Sequence, residues 1–381
     1  MNNKNTLNNS QYYNYKNICT VCRFEDIEIN NSLNYSLNSS CWSILNRKGK
    51  KWRIILSYLI CLSLGNRFKI TEENAINLLY VAEVIHNTTL IIDDILDNSY
   101  LRRGKPSIHI LFGKELTLFT SNTLVFAPVR YYLNHILPND IIVKNKDNNY
   151  FNEIYKDISS SYIDELSSIL IGEMIDTEIS KSRIPKINSV YDILLCKTGS
   201  MIRLYLKFMF GVINFNGIET DKKHIIQTKL IKAIEYLSIS FQIKDDLLNI
   251  KFNGISANKG YVGEDIYEGK KSLMILHALN QGLNHKKLEC FDSYNYSVIE
   301  LLEGDSKRLY EILSMKTTEA KYIEESIEIL YKLGSINFAE NKQKEYYECF
   351  IDCIKELSNL VPNKEYLLEI IELTNFMFFN R

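Results

Sequence analysis

The sequence predicts an all-α protein, a large single-domain helical bundle, and three observations carry that prediction. Of 381 residues only 15 are glycine and 5 proline, too few turn-formers for a chain of hairpins. Hydrophobic residues make up 46% of the chain, enough apolar material for a substantial core. They recur at helical spacing over long stretches, while strict strand-like alternation is nearly absent. Helices that are apolar almost all round belong inside a bundle.

Residues 1–38 are rich in Asn, Ser, Tyr and Lys without any period, so this polar segment is expected to be largely disordered. Residues 39–381 then form the folded all-α domain. The run IILSYLICLSLG after Arg53 reads as a helix too short and too interrupted to span a bilayer. TEENAINLLYVAEVIHNTTLIIDDILDNS reads as a long helix with Thr71 as N-cap and Glu72 and Glu73 in its first turn. The polar stretch LPNDIIVKNKDNNYFNEIYKD reads as an inter-helix loop. DKKHIIQTKLIKAIEYLSISFQIKDDLLNI reads as a second long helix, with Asp221 as its candidate cap. No internal repeat is present.

The net charge of −1 gives no electrostatic case for binding nucleic acid or an anionic membrane surface. No secretory signal opens the chain, and its cysteines form no disulfide framework, so a cytoplasmic protein with reduced thiols is expected. Cys19 and Cys22 form a C-x-x-C, and Cys349 and Cys353 lie close together. No histidine reinforces a zinc site there, and free thiols are the simpler reading.

The chemistry concentrates on two helices. His86, Thr89, Asp93 and Asp97 lie at i, i+3, i+7 and i+11, on one stripe that ends in carboxylates at the helix C-terminus. Anions there oppose the helix dipole, so a bound cation is implied. A hard divalent ion such as Mg²⁺ fits, because it bridges one or two carboxylates to substrate phosphates. Ser238, Gln242, Asp245 and Asn249 form a near-identical stripe, with Asp246 beside Asp245. The two acidic ends are therefore expected to open onto one cavity. Lys197, Lys259, Lys270, Arg102 and Arg103 would supply donors for phosphate oxygens around it.

IIDDILDNSYLRRG resembles the first aspartate-rich motif of the all-trans short-chain prenyl diphosphate synthases, and FQIKDDLLNI the second. GKKWR, from Gly49 to Arg53, resembles that family's GK-x-x-R element, and Asn249 closing the second motif is most similar to the eukaryotic geranylgeranyl diphosphate synthase branch. The resemblance covers roughly residues 40–280. It implies the isoprenoid synthase class I fold, an all-α bundle around a deep central cavity, usually as a homodimer. Two departures stand out: one extra residue separates Lys259 from Asp265, and Glu173 stands in GEMID where the family has an amide.

By the same resemblance the protein is a prenyltransferase of isoprenoid biosynthesis, condensing isopentenyl diphosphate head-to-tail with an allylic diphosphate (dimethylallyl, geranyl or farnesyl). Its product is geranylgeranyl diphosphate, alone or with farnesyl diphosphate in a mixture. Asp93, Asp97 and Asp245 would hold about three Mg²⁺ ions on the allylic diphosphate, with Asp94 and Asp246 as weaker ligands pointing partly off their stripes. Arg102, Lys197, Lys259 and Lys270 would take the departing negative charge. Thr198 and Gln242 would place oxygens beside the carbocation. Lys50, Arg53, His86 and Arg103 would bind isopentenyl diphosphate, which needs cations but no ionisation. Thr88 and Thr89, one turn below Asp93, and Ser238, one turn below Gln242, would set chain length. All three are small, whereas farnesyl-producing relatives of the animal branch carry aromatic residues at the threonine positions.

Two other readings fit parts of this pattern. A class I terpene cyclase shares metal-driven ionisation but has no use for a second cationic diphosphate site. A non-catalytic regulatory subunit is expected to lose its acids or lysines, and both sets survive here.

Overall fold

The structure, a computed structural model, describes residues 40, 43–45, 47, 49–65, 67–144, 146–182, 184, 187–215, 219–251, 263–284 and 298–379. The polar segment 1–38 and Lys259 lie outside the described residues. The described chain is helical nearly throughout, and its one sheet is a hairpin of two-residue strands. Its contacts sort into two compact units, one drawn from Met1–Ile54 and Phe68–Lys156, the other from Ile55–Arg67 and Asp157–Arg381.

The first unit holds the start of α1 (Trp52–Ser63), then α2 (Glu72–Leu96), β1 (Leu101–Arg102), β2 (Lys105–Pro106), α3 (Ile108–Phe112), α4 (Lys114–Tyr131), a π-helical turn (Tyr132–Ile136), α5 (Leu137–Val143) and the beginning of α6 (Asn148–Ser182). Helix α2 begins where the cap signal placed it. Thr71 is extended, its hydroxyl accepts from the Asn74 N–H, and Glu72 and Glu73 occupy the first turn. Ile44, Val84, Ile91, Ile108 and Leu124 form a buried cluster in which α2 packs on α4. Full burial of such side chains stabilises by about 1.5–3 kcal/mol each. Helix α2 is long and apolar enough to cross a bilayer, yet most of its apolar stretch is buried against protein.

The stretch expected as an inter-helix loop is mostly helical. It contains α5 and the first turns of α6, with Lys144–Asp147 between them. Its polar Asp140 is buried because it completes the start of α2. The carboxylate accepts from the Thr71 N–H (2.8 Å), the Thr71 hydroxyl (2.7 Å) and the Asn74 amide (2.9 Å). Leu137 and Ile141 on the same helix are buried as well.

The second unit runs from α6 through α7 (Ile187–Leu194), a π-helical turn (Leu195–Gly199), α8 (Ser200–Val212), α9 (Thr220–Lys251), α10 (Glu264–Glu268), α11 (Leu273–Gln281), α12 (Gly304–Met315), α13 (Ala320–Lys332), α14 (Ser335–Glu356) and α15 (Glu365–Phe379). Helix α9 starts at Thr220, so Asp221 sits in its first turn rather than capping it, where its charge still suits the dipole. It packs along α14, beside a core cluster that includes Ile239, Ile243, Leu247, Leu276, Leu309 and Leu330. Among the described residues, Cys61, Cys196, Cys349 and Cys353 are free thiols.

Candidate active site

In the first unit, Asp93, Asp94 and Asp97 close α2, and Asp97 is its C-cap. Asp93 and Asp97 are half-buried, while Asp94 turns inward with its side chain 1% exposed. One Asp94 carboxylate oxygen accepts from Arg102 Nε at 2.9 Å and from Nη2 at 2.5 Å. The off-stripe acid thus anchors a guanidinium, and the two stripe acids stand half-buried at the helix end. The hairpin β1–β2 follows at once. Arg103 at its tip has φ +54° and Gly104 φ +72°, the left-handed pair that turns the chain back within two residues.

Arg53 Nη1 lies 3.1 Å from His86 Nε2. A guanidinium can only donate, so Nε2 accepts and the imidazole is neutral, with its proton on Nδ1. Burial, first, and then the charges of Arg53, Arg103 and Arg102 hold the His86 pKa well below the usual histidine value. Arg103 lies against Gly49, where a Cβ would meet its guanidinium at 3.2–3.3 Å. Arg53, His86 and Arg103 are therefore gathered in one place, with Lys50 exposed just before α1. Such clustered cations suit a polyphosphate ligand.

In the second unit, a hydrogen-bond chain fixes the acid stripe of α9. The Thr198 hydroxyl donates to Gln242 Oε1 (2.9 Å), and Gln242 Nε2 donates to Asp246 Oδ1 (2.9 Å). Asn249 Oδ1 accepts from the Asp265 N–H at 3.2 Å. Burial raises the Asp246 pKa well above the carboxylate range; the charges of Asp265 and Asp245 push the same way, against the Gln242 hydrogen bond and Lys270. Lys270 in turn pairs with Glu268 at 2.5 Å.

Lys197 and Thr198 sit in the π-helical turn, where an inserted residue re-aims side chains that a regular helix would place elsewhere. Lys197 Nζ reaches Asp176 Oδ2 at 2.6 Å and Glu173 Oε2 at 3.0 Å, both on α6. Gly172 on α6 permits this approach, since a Cβ there would stand 2.8 Å from Cys196 Cβ and 2.9 Å from Lys197 Cγ. Asp176 and Arg47 escaped the sequence reading. Asp176 was visible only as the last letter of GEMID, and Arg47 carried no motif signal.

Thr88 is fully buried and Thr89 half-buried on α2, and Ser238 is fully buried on α9. Each hydroxyl donates to a carbonyl of its own helix: Val84 O (2.9 Å), His86 O (2.8 Å) and Ile234 O (2.6 Å). All three side chains are small and their hydroxyls are satisfied.

Among the described residues no three His, Cys, Asp or Glu side chains are close enough to cage a metal unaided. The donor chemistry nevertheless fits Mg²⁺, which takes one or two carboxylates and completes its shell with water and phosphate. Asp93 and Asp97 at the negative end of α2, and the mutually repelling Asp245, Asp246 and Asp265, are arrangements that a cation relieves.

An all-helical chain that pairs helix-end acids with clustered cations defines a class of protein, and comparison with known sequences specifies it. The polyprenyl synthetase model matches residues 34–312, and the chain belongs to that family. It is 29% identical to a short chain isoprenyl diphosphate synthase of Methanocaldococcus jannaschii; the alignment covers 65% of this chain and 63% of that protein. A geranylgeranyl pyrophosphate synthase of Dictyostelium discoideum is 28% identical over 76% of this chain and 79% of its own length. The fold matches the geranylgeranyl pyrophosphate synthase of Corynebacterium glutamicum, solved with isoprenyl diphosphate and magnesium. That likeness has a TM-score of 0.68 at 17% identity and covers 96% of both chains. The all-α isoprenoid synthase fold is thereby shown.

Proposed function

We propose that the protein is a Mg²⁺-dependent short-chain prenyl diphosphate synthase that makes geranylgeranyl diphosphate from isopentenyl diphosphate and allylic diphosphates. The observation that carries this reading is the gathering of cations in two places. Arg102, Lys197 and Lys270 are each paired with carboxylates beside the acid stripes, as suits a metal-laden diphosphate. Arg53 and Arg103 gather with Arg102 around a neutral histidine, with Glu83 and Asp94 offsetting the charge of Arg103, as suits a second diphosphate.

In this reading Asp93, Asp97 and Asp245 hold Mg²⁺, which when bound makes the allylic diphosphate a better leaving group. Lys197, Lys270 and Arg102 take up negative charge as the diphosphate departs. Thr198 orients the Gln242 amide so that its oxygen stands beside the allylic cation. Lys50, Arg53, His86 and Arg103 hold isopentenyl diphosphate for attack on that cation. Exposed apolar side chains along α6 (Ile163, Leu170 and Met174) support a homodimer, in which a second copy covers them.

The test incubates purified protein and Mg²⁺ with isopentenyl diphosphate and each of dimethylallyl, geranyl and farnesyl diphosphate, followed by chromatography of the dephosphorylated products. Linear prenyl alcohols are expected, lost with EDTA and restored by Mg²⁺. Asp93→Ala and Asp245→Ala should each lower kcat by at least about two orders of magnitude. Cyclic products from an allylic diphosphate alone, or near-normal turnover in Asp245→Ala, would overturn the reading.

A further inference from the structure

Arg47 is 5% exposed, a buried guanidinium outside every motif of the sequence. Its hydrogen bonds go chiefly to main-chain oxygens. Nη1 donates to Arg102 O (2.9 Å) and Lys105 O (3.5 Å), and Nη2 to Pro106 O (2.6 Å). Nε donates to Ser43 O (3.2 Å), and Nη2 also approaches the Ser43 hydroxyl (3.4 Å). Arg102 lies on β1 and Lys105 and Pro106 on β2, so the side chain clamps both strands of the hairpin that carries Arg103.

The main chain of the same residue completes the grip. Arg103 Nη1 donates to Arg47 O at 3.4 Å, and its guanidinium rests against Gly49 two residues on. One short segment thus holds the hairpin stem through a side chain and the head of Arg103 through its backbone. That segment leads directly into Lys50 and Arg53.

Burial lowers the Arg47 pKa, Asp94 opposes this, and the nearby Arg103 and Arg102 lower it further. Asp94 is the anion that offsets these like charges around the buried guanidinium. The rigid fork of five N–H donors is what lets one residue span carbonyls on two strands, which a lysine cannot do.

We propose that Arg47 is a positioning residue for the second diphosphate: it fixes the Leu101–Pro106 hairpin so that Arg103 stands with Arg53 and His86, without itself touching the ligand. This rests on the reading of those residues as the isopentenyl diphosphate site. Arg47→Met and Arg47→Lys are compared with the native enzyme by steady-state kinetics for each substrate. Calorimetric binding of isopentenyl diphosphate is measured in EDTA, and thermal melting is followed alongside. In Arg47→Met, KM for isopentenyl diphosphate is expected to rise about tenfold with kcat and the allylic KM within about twofold, the pattern of lost ground-state binding. Metal-free binding should weaken by the same factor, and Arg47→Lys should not restore it. An unchanged KM and unchanged metal-free affinity in either variant, or full rescue by lysine, overturns the proposal. If Arg47→Met does not fold, Arg47→Lys decides by the same two readouts. If the native enzyme binds isopentenyl diphosphate without metal yet makes no linear product, the function reading falls, and the affinity of the variants still decides the role of Arg47.

Discussion

At the scale of single residues, His86 shows how a neighbour fixes a protonation state. The donating Arg53 leaves Nε2 as acceptor, and burial with three guanidiniums nearby keeps the ring neutral. In the unfolded chain the same imidazole titrates near its ordinary value of about 6.5. Between the depressed folded pKa and that value, the unfolded state binds more protons than the folded one. Stability therefore rises with pH across the window, and is lost as pH falls from about 7 through it. One group contributes at most about 1.4 kcal/mol per pH unit there. His109 and His277 have lowered pKa values too, so the comparison must be differential. His86→Gln should lose less stability than the native protein between pH 7.5 and 5.5, measured by urea unfolding at each pH. Parallel profiles would mean that His86 is charged, or unshifted, in the folded state.

At the scale of elements, the contact between α6 and the π-helical turn decides where Lys197 points. Gly172 lets the two elements approach, and a methyl group there collides with Cys196 Cβ and Lys197 Cγ and crowds the Cys196 carbonyl carbon. Gly172→Ala should destabilise the protein by about 1–3 kcal/mol, as overpacking does. It should also raise the allylic KM, because Lys197 is pushed off the Glu173–Asp176 pair. A native melting temperature with native kinetics would show that the turn yields freely. This contact marks the limit of what the sequence made legible. The start of α2 could be read from Thr71, Glu72 and Glu73, and both acid stripes from spacing, because caps and periodicity are local. The π-helical turn could not be read, since Leu195–Gly199 has no composition of its own and is set by packing. The helical character of Leu137–Val143 was missed for a related reason: Asp140 looks like a loop residue until its partners Thr71 and Asn74 are known. Arg47 was missed because its partners are main-chain carbonyls, which no side-chain pattern announces.

At the scale of the whole molecule, the open variable is the length of chain that the proposed synthase builds. A growing prenyl chain held at Asp93 and running back along α2 meets Thr89 and Thr88 one turn away, about 5.4 Å, close to one isoprene unit. Neither threonine presents an unsatisfied hydroxyl, because each donates to a carbonyl of its own helix, and Ser238 on α9 does the same. If the proposed reading holds, the small threonines would not stop the chain at fifteen carbons, and a C20 product is expected. The two threonines are not equivalent as test sites. Thr88 is fully buried, and an aromatic ring there would overpack the core and confuse stability with specificity. Thr89 is half-buried, so a larger side chain there disturbs the core less. Thr89→Phe should therefore keep its fold and shift the product from C20 towards C15, with kcat for the first condensation largely retained. Dephosphorylated products of the native and variant enzymes, separated by reversed-phase chromatography, provide the readout. If the native enzyme stops at C15 and Thr89→Phe changes nothing, α2 does not form the floor of the chain's path, and a bulkier side chain on another helix sets the length.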